Sequence, residues 1–287
     1  MKTLSQGLTK GYIAFLEHFN LNISGKMSIA AMTGQRKSGA KGTSIEYSDF
    51  RQYVPGDDIR RMDWNSYARS GKLITKVSME EKQAEINIFL DLSRSMGFYE
   101  DKAFYAKIIA ASLSYIALKN GDKVNIYGWS GGIKEWRLNN SSKNSFPKVV
   151  SFLEGLEFDG VTSLKETVSS GLIKGMRGIS FIISDLFIDG EFEGVIDTLR
   201  YKKQEVNVVQ VLSKDEVNPP LGGNLCLTDC ETGEHKDITV SLAVIESYKK
   251  ALLSMQNGIG EYCRKSGARF SAVNTDMLLQ ETLKIIL

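Results

Sequence analysis

The 287-residue chain carries 36 Lys and Arg against 34 Asp and Glu, a net charge of +2, with 42% hydrophobic residues, 24% charged residues and only 4 Pro. That balance describes a chain with a packed core and excludes the disordered classes; no apolar run nears the roughly 18 residues that span a bilayer, and Met1-Lys2-Thr3-Leu4-Ser5-Gln6-Gly7 has no apolar signal core, so a soluble, cytoplasmic protein is expected. Residues 1–80 hold 12 Lys/Arg against 7 Asp/Glu, or +5, which leaves −3 for the remainder, too mild an asymmetry for non-specific nucleic-acid binding.

The first 84 residues read as an N-terminal accessory segment and residues 85–287 as one α/β domain. Leu4 to Phe19 is expected to form one helix, and Met32–Ser44, rich in Gly, Lys and Ser, a loop. Within that loop Gly34 to Thr43 resembles a phosphate-binding loop only superficially, because Ala40 stands where Lys is needed and no apolar strand leads into Gly34. A dense aromatic and charged run follows from Ser44 to Asp58, in which Pro55-Gly56 suits the centre of a type II turn.

From residue 85 onward, apolar β-branched runs alternate with helical patterns. Ile86–Leu90, Val124–Trp129, Ile179–Ile183, Val206–Leu212 and Arg269–Val273 read as buried strands of a doubly wound, mostly parallel central sheet with helices on both faces. Tyr105, Ile109, Leu113 and Ile116 lie on one helical face, and Asn120-Gly121 stops that helix. Ile133–Leu138 is expected as an antiparallel edge strand beside Val124–Trp129. Leu225–Thr228 and Ile238–Val240 read as an inserted hairpin, and Leu242 to Ser266 as a long helix capped by Gly267. Cys226, Cys230 and Cys263 lack the spacings of a zinc module and read as reduced structural thiols.

The run that carries chemistry is Asp91-Leu92-Ser93-Arg94-Ser95, directly after a strand. In open α/β sheets ligands collect at the carboxyl ends of strands, and an acid with two hydroxyls there supplies hard oxygen donors suited to Mg2+. Alone, the run would serve equally well to cap the next helix. Thr162, in the loop Asp159-Gly160-Val161-Thr162-Ser163, and Asp185, which ends the strand Ile179–Ile183, offer further oxygens at the same edge. Asp91, Ser93, Ser95, Thr162 and Asp185 are thus the expected ligands, direct or through water, of one octahedral ion with a position left open.

This pattern, Asp-x-Ser-x-Ser followed by a Thr and then an Asp, resembles the metal-ion-dependent adhesion site of von Willebrand factor A domains, with all five positions filled. The resemblance implies a von Willebrand factor A-like, Rossmann-like fold, a bound Mg2+ or Mn2+, and a protein partner whose carboxylate completes the metal shell. Upstream, Phe50-Arg51-Gln52-Tyr53-Val54-Pro55-Gly56-Asp57-Asp58-Ile59-Arg60-Arg61-Met62-Asp63-Trp64, with Ala68-Arg69 and Leu73, resembles the hallmark run of the domain of unknown function 58 family of bacteria and archaea. That family resemblance implies an adaptor or scaffold working with a MoxR-type AAA+ ATPase in assembly or remodelling of other proteins. Arg51, Tyr53, Asp57, Asp58, Arg60, Asp63, Trp64 and Arg69 are expected either as an ion-pair network around Trp64 that fixes the segment, or as a docking surface.

Two other classes compete with a non-enzymatic module. A Mg2+-dependent phosphoryl-transfer enzyme of the haloacid dehalogenase type also places an Asp after its first strand, but needs a second acid two residues on, where this chain has Ser93. Nucleic-acid binding through the basic N-terminal half is the third. Only His18 and His235 are available, and no Ser-His-Asp or Cys-His set is apparent.

Overall fold

The computed structural model describes residues 3–21, 47–78, 84–129, 133–137, 142–159, 178–187, 192–220, 222–228 and 235–287. The chain divides into two compact units, Met1–Ile23 with Gln83–Leu287, and Ser24–Lys82.

Residues 3–21 form two short helices, α1 (Leu4–Gly7) and α2 (Lys10–Leu16), where one was expected. The break has a local cause: the Thr9 hydroxyl accepts the Tyr12 N–H at 3.2 Å and so starts a second helix instead of continuing the first. Leu4, Tyr12 and Leu16 are buried in the larger unit's core. Residues 3–21 therefore belong with the domain that the sequence placed wholly after residue 84.

In the smaller unit, β1 (Tyr47–Gln52) pairs antiparallel with β2 (Ile74–Ser78), and α3 (Trp64–Ser70) lies between them in sequence. Gly56 has φ 108° and the Asp57 N–H donates to the Val54 carbonyl at 3.0 Å, as the Pro55-Gly56 turn requires.

The larger unit is built on β3 (Glu85–Asp91), after which come α4 (Arg94–Gly97), α5 (Glu100–Lys119), β4 (Lys123–Trp129) and β5 (Ile133–Arg137). Then follow α6 (Phe146–Glu154), β6 (Gly178–Ser184), α7 (Phe192–Tyr201), β7 (Gln204–Leu212) and α8 (Lys214–Val217). The hairpin β8 (Gly223–Thr228) and β9 (His235–Val240), α9 (Leu242–Ser266), β10 (Arg269–Asn274) and α10 (Leu279–Ile286) complete it. The six-stranded sheet has the order β10-β7-β6-β3-β4-β5, parallel except for the antiparallel edge β5. The expected α/β class, edge strand and hairpin are all present.

Strand alternation divides the core between the two faces. Ile86, Ile88 and Leu90 of β3, with Val124 and Ile126 of β4, face α5 and the N-terminal helices; Phe89, Tyr127, Trp129 and Ile182 face α7 and Cys263 of α9. Helix α5 is buried on nearly all sides, because α1, α2 and α6 cover the side turned away from the sheet; the Tyr12 hydroxyl meets Ser112 Oγ at 2.9 Å. The two long helices end beside glycines in left-handed conformation, Gly121 (φ 79°) after α5 and Gly267 (φ 73°) after α9.

Candidate functional site

Chain order decides where the site lies. After β3 the chain passes through α5 to β4 on one side, then returns to β6 on the other side of β3. The carboxyl ends of β3 and β6 therefore flank the point where strand order reverses, the place where ligands collect in open sheets of this class. Asp91 is the last residue of β3 and Asp185 follows the last residue of β6. Both are buried.

Each carboxylate is held by short-range bonds. Asp91 Oδ1 accepts the Ser93 N–H at 2.9 Å, and its Oδ2 accepts the Ser184 hydroxyl at 2.6 Å. The Ser93 and Ser95 hydroxyls lie 2.9 Å apart. Asp185 Oδ1 accepts the Phe187 N–H at 3.2 Å, and Gln210 Nε2 donates to the Asp185 carbonyl at 2.8 Å. Leu186, between them, has φ 62°, a left-handed conformation costly for a branched side chain.

A cation already sits against this cluster. Lys102, in the first turn of α5, is wholly buried and donates to Asp185 Oδ2 at 2.9 Å, to Glu216 Oε1 at 2.7 Å and to the Ser95 carbonyl at 3.2 Å. Its three N–H donors thus meet three acceptors. Glu216 reaches the ammonium because it closes a capping box on α8, with Ser213 N–H donating to its Oε2 at 2.6 Å. Neither Lys102 nor Glu216 figured in the sequence reading.

Burial, and then the negative charge of Asp185, push the Asp91 carboxyl up to about 7. Asp91, Asp185 and Glu216 set three carboxylates against the single ammonium of Lys102, a net charge of −2 when all are ionised. The donor set fits a hard divalent ion: it is all oxygen, it combines carboxylates with hydroxyls, and its charge matches. Among the described residues no group of three or more His, Cys, Asp or Glu side chains gathers in ligating geometry, so the candidate centre rests on hydroxyls as much as on acids.

Of the five expected ligands, Asp91, Ser93, Ser95 and Asp185 converge here, while Thr162 lies outside the described residues. The expected loop 32–44 and Cys230 also lie outside them. The rim carries exposed aromatics: Phe98, three residues past Ser95, is 65% exposed, and Phe187, two past Asp185, is 47% exposed. The phosphoryl-transfer reading finds Ser93 where it needs an acid, and the only lysine bonded to the cluster among the described contacts is inaccessible to a substrate.

The hallmark residues of the smaller unit are organised by turns. Asp57 Oδ2 accepts the Val54 N–H at 3.0 Å, Asp58 Oδ1 the Arg60 N–H at 3.0 Å, and Asp63 Oδ1 caps α3 through Asn65 and Ser66. Arg69 Nε donates to the Asn65 carbonyl at 3.2 Å, and Tyr53 N–H to the Leu73 carbonyl at 3.0 Å. Arg51 belongs to β1, and its side chain lies outside the description. Of the two arrangements expected around Trp64, a packed ion-pair network or a docking surface, the structure shows a ring that is 56% exposed and meets Tyr67 edge to face, beside an exposed ion pair in which Arg60 Nε lies 3.5 Å from Asp58 Oδ1. Trp64→Ala is therefore expected to change stability by no more than about 1 kcal/mol, read as a thermal midpoint within a few degrees of wild type.

Uncharacterized protein Rv1480 of Mycobacterium tuberculosis is 22% identical over 281 residues, covering 92% of this chain and 84% of its own. BatB from Bacteroides thetaiotaomicron matches 70% of this chain and 95% of its own at 17% identity and a TM-score of 0.46. A Bacteroides fragilis protein matches 71% and 98% at 16% identity and a TM-score of 0.41. The expected cytoplasmic assignment is withdrawn: the Bacteroides fragilis protein is described as an aerotolerance-related membrane protein, and that the described residues of this chain contain no helix long and apolar enough to cross a membrane assigns no compartment. The model of one family, "Protein of unknown function DUF58", matches residues 49–257, from within β1 through most of α9, and the chain belongs to that family.

Proposed function

We propose that this protein is a non-enzymatic interaction module that depends on a divalent cation. In this reading Asp91, Ser93, Ser95 and Asp185, with Thr162, hold Mg2+ or Mn2+, and a partner's carboxylate completes the shell through a charge-assisted bond. The observation that supports it best is that buried Asp91 and Asp185 come together at the strand-order reversal, beside two serine hydroxyls, in a cluster whose carboxylates outnumber the Lys102 ammonium. Exposed Phe98 and Phe187 would give the partner apolar contact around its acid. A MoxR-type AAA+ ATPase is the partner this family resemblance favours, with the chain acting as adaptor or scaffold in assembly or remodelling of other proteins.

The test is co-purification of purified full-length chain with a purified MoxR-type ATPase from the same source, in Mg2+ and in chelator. Capture is expected in Mg2+ alone, and lost with Asp91→Ala. Equal capture in chelator would refute the metal-dependent mechanism.

A further inference from the structure

Lys102 occupies an unusual position for an ammonium. It is enclosed by Asp185, Glu216 and the Ser95 carbonyl, with no accessible surface. Desolvating a lysine is costly, and an apolar residue of its volume would be cheaper to bury, so the charge itself has a use. The two carboxylates it joins come from different elements: Asp185 follows β6, and Glu216 caps α8. By way of Asp185 and Ser95, its charge borders the residues proposed to hold the ion.

We infer that Lys102 sets the charge of the site and thereby shifts its preference towards a divalent over a trivalent cation. This inference rests on the dication site proposed above. With Lys102 present, its ammonium offsets one of the negative charges that Asp91, Asp185 and Glu216 can carry, and each unit of site charge removed costs a trication more attraction than a dication of similar size. With an uncharged residue at position 102 the site gains one unit of negative charge, and the trication gains more attraction than the dication. With an uncharged amide at position 216 the site loses one unit of negative charge, and both ions lose affinity, the trication more. Each change moves one unit charge within a few ångströms of the ion, where the dielectric is low and screening weak.

The experiment measures binding of Mn2+ by electron paramagnetic resonance and of Tb3+ by luminescence, each ion alone, to four full-length proteins. They are wild type, Lys102→Met, Glu216→Gln, and the double variant Lys102→Met/Glu216→Gln. Gln at position 216 retains the capping box with Ser213, and the double variant restores the wild-type net charge. Relative to wild type, the preference for Tb3+ over Mn2+ is expected to rise about tenfold or more in Lys102→Met, to fall in Glu216→Gln, and to return to within about threefold in the double variant. Should Lys102→Met not fold, the opposite shifts expected of Glu216→Gln and the charge-restored double variant decide the matter. An unchanged preference across the folded variants overturns the role of Lys102 while leaving dication binding intact. A wild type that binds neither ion overturns the proposed function and this inference together.

Discussion

Lys102→Met is expected to destabilise the ion-free protein by about 3–5 kcal/mol, the cost of leaving a buried ion pair with one partner removed. The side chain of Asp185 is 2% exposed and that of Glu216 is 17% exposed, so water cannot take over the solvation that the ammonium provides. Methionine keeps the length and the helix-forming tendency of the native residue, which confines the effect to charge and hydrogen bonding. For a chain of this size the loss appears as a fall of several degrees or more in the thermal midpoint. Saturating Mg2+ is expected to recover part of it, because an ion that binds only the folded state adds its binding energy to stability. A variant that melts with wild type would mean that the ammonium is not compensating the two carboxylates.

Asp91→Asn carries the second large effect, of opposite sign. The Asp91 carboxyl is raised to about 7 by burial and by the charge of Asp185, so the folded chain holds this proton more tightly than the unfolded chain does. The corresponding stability is fully present below the ordinary carboxyl range, about pH 4, and is lost as pH rises towards and through about 7. Asparagine stays neutral, keeps an oxygen for the Ser93 N–H and can donate to Ser184 in place of accepting from it. In chelator the variant should therefore be more stable than wild type above pH 7, by on the order of 2 kcal/mol, and indistinguishable from it near pH 4. Adding Mg2+ at pH 8 should reverse the order by stabilising wild type alone. If Asp91 serves only as a turn-forming acceptor, the variant would instead be neutral or destabilised at every pH.

The fold was legible because buried parallel strands leave an unambiguous trace. Ile86–Leu90 is apolar but for Asn87, and Val206–Leu212 but for Asn207 and Gln210, and short runs so rich in Val and Ile between helical patterns suit strands buried on both faces. Gly121 and Gly267 marked the helix ends because the left-handed conformation there suits glycine. Residues 3–21 misled: a single helical pattern does not show that Thr9 will cap a new helix, nor that the far side of α5 needs a cover. Asp91, Ser93, Ser95 and Asp185 were found because strand ends in this class of sheet point to a common edge.

Lys102 was not found, and for a physical reason. In sequence it follows Glu100 and Asp101 in the first turn of a helix, where a lysine reads as solvated. Its burial comes from partners 83 and 114 residues away, which no local pattern reports. Glu216 did leave a signal: Ser213-Lys214-Asp215-Glu216 follows the strand ending at Leu212, at the same sheet edge as Asp91 and Asp185. Around Trp64 the alternating charges left a packed network and a docking surface equally open, because short carboxylates can pair with a neighbouring guanidinium, as Asp58 does with Arg60, and also accept amides two or three residues away, as Asp57, Asp58 and Asp63 do.

The most direct test of the account is a crystal of the full-length protein grown or soaked with Mn2+ and measured at the manganese edge. A single anomalous peak is expected at the carboxyl ends of β3 and β6, about 2.1–2.3 Å from Ser93 and Ser95 oxygens, with Asp91 and Asp185 bound directly or through water. A well-ordered crystal at saturating Mn2+ with no peak between Asp91 and Asp185, or with its only peak elsewhere, would contradict it.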